Sequence, residues 1–145
     1  MAFRFPLATV LRVRESVERR EERALQRIQL EMARVARQIE ELDEAMTKAH
    51  AARELELQRT MPAGHLHSMQ WELQTANTRR AALRQQLHGL EEQRLKQMRV
   101  YQAAHRAHET MINMFNEQRD AYEVHQARAE QKYLDDIFMA RRHRT

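Results

Sequence analysis

Residues 59–65 read R-T-M-P-A-G-H and hold one of the chain's two prolines and one of its two glycines. Helix-breaking chemistry gathered into seven residues marks a single break between two long uninterrupted stretches. Met61 precedes Pro62, and a residue before proline is pushed out of the helical region. Gly64 is suited to the left-handed conformation that ends a helix. Pro6, the other proline, fits the first turn of a helix, where its missing N–H costs nothing. The spacing predicts helix one from about residue 6 to 60, a turn over about 61–65, and helix two from about 66 to 142.

The flanks say what kind of helices these are. From Leu25 the apolar positions run Leu25, Ile28, Met32, Val35, Ile39, Leu42, Met46 and Ala49, in steps alternating three and four. That alternation is the a/d seam of a coiled coil. Beyond the turn the seam resumes at Leu66, Met69, Leu73, Ala76, Arg80, Leu83, Leu87 and Leu90. It continues more loosely through Arg94, Gln97, Tyr101, Ala104, His108, Met111 and Phe115. A short loop between amphipathic helices makes them antiparallel neighbours, and with the turn centred near Ala63 facing residues carry numbers summing to about 125. The rule pairs Leu57 with Met69, Arg53 with Leu73, Leu42 with Leu83, Val35 with Leu90 and Leu11 with Phe115, apolar against apolar in all but one pair. The expected fold is all-α: two long helices in an antiparallel coiled-coil hairpin, one coiled-coil domain over residues 1–145.

Composition agrees. Charged residues make up 32% of the chain and aromatics only 6%, enough apolar surface for a seam and too little for a thick core. Acidic and basic residues alternate along both stretches, the pattern of a solvated helix surface. With no cysteine, disulfide and thiol chemistry are excluded. The start lacks an apolar run of signal-peptide length, and no window approaches the ~20 apolar residues that span a bilayer, so a soluble cytoplasmic protein without membrane insertion is expected.

The same register leaves two weak places. Near the free end, seam positions of helix one are taken by Arg14, Glu18 and Glu21, opposite Ala104 and His108, so a wetter section that frays is expected. Helix two also outlasts its partner: Leu7 is matched near Gln118, leaving roughly 27 residues, or ~40 Å of helix, without a facing helix. Phe3 and Phe5, on an extended arm, reach part of this overhang but not all of it. Within it, E-Q-K-Y-L-D-D-I-F-M-A-R-R carries Tyr133, Leu134, Ile137 and Phe138 as an apolar stripe out of phase with the seam. An apolar face without an intramolecular partner is a candidate binding face, with Asp135, Asp136, Arg141 and Arg142 setting orientation. Trp71, between Met69 and Leu73 of the seam, points outward and is a second candidate contact, with packing over Gln74 or Thr75 as its structural alternative. Ile112 and Met114 are expected to face outward around Phe115.

Nothing in the sequence supports catalysis: there is no Gly-rich phosphate loop and no nucleophile with a base held in a pocket. His105 and His108, three residues apart, and His65 and His67, flanking the turn, have metal-ligand spacing but no local set of further ligands, so no metal and no cofactor is expected.

The two ends resemble a known family. The opening F-R-F-P-L-A-T-V-L-R-V-R-E-S-V-E, residues 3–18, is similar to the start of the flagellar export protein FliJ family, in which spaced Phe, Leu and Leu lead into Arg and Glu. The closing A-E-Q-K-Y-L-D-D-I-F-M-A-R-R, residues 129–142, resembles that family's C-terminal segment, with Asp135-Asp136 where the family often has Asp-Glu. The resemblance implies a cytoplasmic component of the flagellar type III export apparatus, peripheral at the cytoplasmic face of the inner membrane. It implies a stalk-like coiled coil that inserts into the ring of the export ATPase hexamer, promotes its assembly and activity, links it to the membrane export gate protein and handles export chaperones. Carried over by motif, Gln131, Lys132, Leu134, Asp135, Asp136 and Phe138 lie in or near the ring; Ile137 and Arg141 on the same segment complete the set. The family's gate contacts fall near Trp71. Two other classes fit the residues alone: a basic coiled coil that binds nucleic acid, prompted by the high isoelectric point and the terminal basic cluster Arg141, Arg142, His143 and Arg144, and a self-associating scaffold.

Overall fold

The computed structural model describes residues 2–59 and 62–144. Two helices account for almost all of them: α1, Ala8–Leu57, and α2, Ala63–Arg144. They pack against each other as an all-α hairpin with the second helix the longer. Backbone contacts divide the chain into two compact units, a turn unit, Glu22–Val100, and a terminal unit, Met1–Glu21 with Tyr101–Thr145.

The break is built from proline rather than glycine. Pro62 stands immediately before α2, and its carbonyl accepts from the amides of His65 at 3.0 Å and Leu66 at 3.4 Å. A residue with φ fixed near the helical value, lacking an N–H that the first turn would leave unpaired anyway, starts a helix readily. Gly64 does not take the left-handed conformation expected of it; no glycine has positive φ, and Gly64 lies in the first turn of α2. The helix therefore starts at Ala63, earlier than about 66. On the other side α1 closes at Leu57, with the Arg59 amide bonded back to the Glu56 carbonyl at 3.0 Å. The expected end at Thr60 and the exclusion of Met61 from helical geometry fall outside the described residues. Pro6 and Leu7 form a turn ahead of α1, whose entry is held by the Ala8 amide on the Phe5 carbonyl at 3.2 Å.

In the turn unit the seam is continuous. Leu25, Val35 and Met46 of α1 and Leu73 and Leu83 of α2 are buried, Val35 completely. The intervening seam positions Ile28, Met32, Ile39, Leu42, Ala49, Leu66, Met69, Ala76, Leu87 and Leu90 are half-buried. Arg80 of α2 donates to Asp43 of α1 at 2.9 Å, a cross-helix bond whose residue numbers sum to 123, close to the expected register. Leu57, expected to face Met69, is 55% exposed, because α1 ends there and supplies no further turn to enclose it. Arg53, opposite Leu73, leaves its Nε buried without a hydrogen-bond partner.

The terminal unit is held differently. Met111 is buried on α2, and Phe5 is buried on the arm preceding α1. Phe5 meets the Phe115 ring edge-on with centroids 5.4 Å apart, and Phe3 lies 5.5 Å from both Phe115 and Tyr122. Arg119 adds a guanidinium 5.9 Å from the Phe115 centroid. Edge-to-face aromatic pairs of this kind contribute about 0.5–1.5 kcal/mol each beyond the area they bury.

Candidate functional site

Beyond the reach of the arm, α2 is bare. From Glu123 to Arg144 every described residue is exposed except Ile137, which is half-buried. The stripe expected from the sequence is in place: Tyr133 is 66% exposed, Leu134 58% and Phe138 67%, with Met139 beside them also exposed. These are large apolar side chains on a helix with no facing helix, so they remain in water as the isolated chain stands. Around them Gln131 donates to Asp135 at 3.0 Å one turn on, which fixes two polar side chains on one edge of the stripe. Lys132, Asp136 and Arg141 are exposed. Arg141, Arg142, His143 and Arg144 occupy the last turn, where positive charge complements the partial negative charge of the helix C-terminus.

A helix this bare persists because it propagates from a paired stretch and need not nucleate by itself. Its sequence helps: Ala127, Ala129, Glu130, Gln131 and Leu134 are strong helix formers.

The second candidate, Trp71, is 63% exposed in the turn unit, turned away from the seam as expected. Its carbonyl accepts from the Thr75 hydroxyl at 2.9 Å, which ties backbone and leaves the indole free in water. Ile112 is exposed, as expected, whereas Met114 is half-buried.

A site that charge patterning disguised lies in the terminal unit. Glu18, expected to be part of a wet and fraying section, keeps only 16% of its side chain exposed. Nδ1 of His105 donates to one of its oxygens at 3.2 Å, and Nδ1 of His108 donates to the other. Burial opposes the charge on Glu18, but the hydrogen bonds from His105 and His108, and their positive charge, outweigh it and hold the carboxyl below its ordinary value. Glu21 is half-buried and Arg14 exposed. The turn-flanking histidine His65 bonds Glu56 at 3.0 Å. Among the described residues no three His, Cys, Asp or Glu side chains converge in metal-binding geometry.

Fold and surface define a helical hairpin of coiled-coil type whose distinctive surface is the bare end of its longer helix. The chain belongs to a family of such proteins: it matches the family described as Flagellar FliJ protein over residues 3–145, which makes it a flagellar export-related component. The resemblance carried by the two ends thus extends over the whole chain. No curated protein and no solved structure matches it. Among the described residues no helix is long and apolar enough to cross a membrane.

Proposed function

We propose that the chain is a stalk of the flagellar type III protein export apparatus, with the bare end of α2 inserting into the ring of the export ATPase and promoting its assembly and activity. The observation that carries this reading is the uncovered stripe: Leu134 and Phe138 expose more than half of their surface on a helix segment that its own chain leaves unpaired. A single helix is narrow, about 10–12 Å across with side chains, a width that suits threading a central channel. In this reading Leu134, Ile137 and Phe138 supply the apolar contact. Gln131, Lys132, Asp135, Asp136 and Arg141 set the rotation of the helix within the ring. Trp71 is the proposed contact to the membrane export gate, and export chaperones are further partners. The proposed location is the cytoplasmic face of the inner membrane, reached through these protein contacts.

The test is stimulation of the purified cognate export ATPase. The full chain is expected to raise ATP hydrolysis, while a chain lacking residues 130–145 and the double variant Leu134→Ser/Phe138→Ser are expected to lose the effect. Unchanged stimulation by the truncated chain overturns the proposal. Trp71→Ala is expected to keep stimulation and to lose binding to the gate protein in a pull-down.

A further inference from the structure

The pair of imidazoles on Glu18 lies far from the tail stripe in sequence and takes no part in the stalk reading. Two side chains of α2 close on one carboxylate of α1, and the two oxygens of Glu18 are divided between them. The side chains of Glu18 and His108 are 16% and 17% exposed, so this is a seam contact rather than a surface pair. His105 stands between two carboxylates, with Nδ1 on Glu18 at 3.2 Å and Nε2 facing Glu109 at 3.9 Å. A neutral imidazole carries hydrogen on only one ring nitrogen, whereas the imidazolium carries both and serves both carboxylates at once. The Tyr101 ring stacks on His105 with centroids 6.0 Å apart and planes 26° apart, an aromatic face offered to a cation.

The neighbouring arginines on the two helices are either paired or exposed. On α1, Glu15 holds Arg19 at 2.6 Å and Glu21 holds Arg20 at 3.1 Å, so both of these arginines are engaged. Arg14 on α1 and Arg106 on α2 are exposed. The groups that contact the two rings are the carboxylates of Glu18 and Glu109 and the ring of Tyr101.

We infer that Glu18, His105 and His108 form a proton-responsive clasp that tightens the pairing of α1 with α2 in the terminal unit as pH falls from about 8 to about 6, the range in which imidazole changes charge. Glu18 stays ionised throughout that range, because its carboxyl is held below its ordinary value. Its contribution is complete above ordinary carboxylate pH and is lost only as pH falls through the depressed value. The function of such a device is to set how firmly α1 grips α2 in the terminal unit, by proton concentration alone.

The measurement is amide hydrogen exchange of the full chain at pH 6 and pH 8, corrected for the intrinsic exchange rates, which reads local opening of the first part of α1. Protection of residues 8–21 is expected to rise about three- to tenfold from pH 8 to pH 6, the scale of a part-buried ion pair. Residues 22–49 of the turn unit, which hold no histidine and no histidine-bonded carboxylate, are the internal control and are expected to show no such rise. His105→Gln/His108→Gln keeps donors but cannot gain charge, and Glu18→Gln removes the charge they answer; each is expected to flatten the pH response. A response that persists in either variant, or its absence in the wild-type chain, overturns the inference. The two variants act on opposite helices, so a folding defect in one leaves the other decisive.

Discussion

Val35 in α1 has no accessible surface at all, while Leu134 in α2 keeps 58% of its own. Both are aliphatic residues on long helices, and both belong to stripes that the sequence spaces at helical intervals. What separates them is the presence of a facing helix. In the turn unit the apolar seam positions of α1 lie against α2, many of them opposite apolar residues, and burial accrues at roughly 25 cal/mol per Å² on both sides of the seam. In the last turns of α2 the same chemistry has nothing to pack against. The helix there is maintained by propagation and local pairs, and its apolar surface is left available. One region therefore uses its hydrophobic residues to hold the molecule together, and the other leaves them exposed.

The comparison is broken most forcefully at the centre of the seam. Leu83→Ala leaves a gap facing α1 and is expected to lower unfolding stability by about 2–4 kcal/mol in urea titration. In the terminal unit Phe115→Ala removes the surface on which both Phe3 and Phe5 rest. The expected loss is about 1–3 kcal/mol, confined to that unit and seen as faster proteolysis of the arm. The seam can also be improved. Arg53→Leu replaces a guanidinium whose Nε is buried and unpartnered with an aliphatic chain facing Leu73, and is expected to add about 1 kcal/mol in the same titration. A loss at that position would mean that Arg53 has a polar role the seam needs.

Much of this contrast was legible in the sequence because the heptad is a geometric statement. Every seam position from Leu25 to Ala49 and from Leu66 to Phe115 is half-buried or buried. The stripe at Leu134 was legible for the same reason, as a helical pattern whose numbers have no counterpart on α1. The break itself was less so: proline and glycine within three residues allow either to act as the punctuation, and Pro62 took that role while Gly64 joined the helix. Leu57 fits the pairing rule but lies on the last turn of α1, where enclosure fails. Glu18 was harder still. Charge at a seam position reads as a wet defect, and only the relative rotation of two helices shows that two imidazoles converge on it from 87 and 90 residues away. What covers the stripe is not legible from exposure at all, since an exposed apolar face carries no label for its occupant.

The smallest expected effect on stability is therefore the most informative. Leu134→Ala/Phe138→Ala removes two large side chains that bury little in the isolated chain, so unfolding stability is expected to change by no more than about 0.5 kcal/mol. Alanine is the stronger helix former at both positions, which biases the small change toward stabilisation. If the double variant instead loses well over ~1 kcal/mol, the stripe is already sheltered. Sedimentation then separates the two ways this can happen: a loss that grows with protein concentration puts the stripe against a second copy, and one independent of concentration puts it against its own chain. A silent substitution by stability that abolishes stimulation of the export ATPase leaves only an external partner, because no folding defect remains to explain the lost activity.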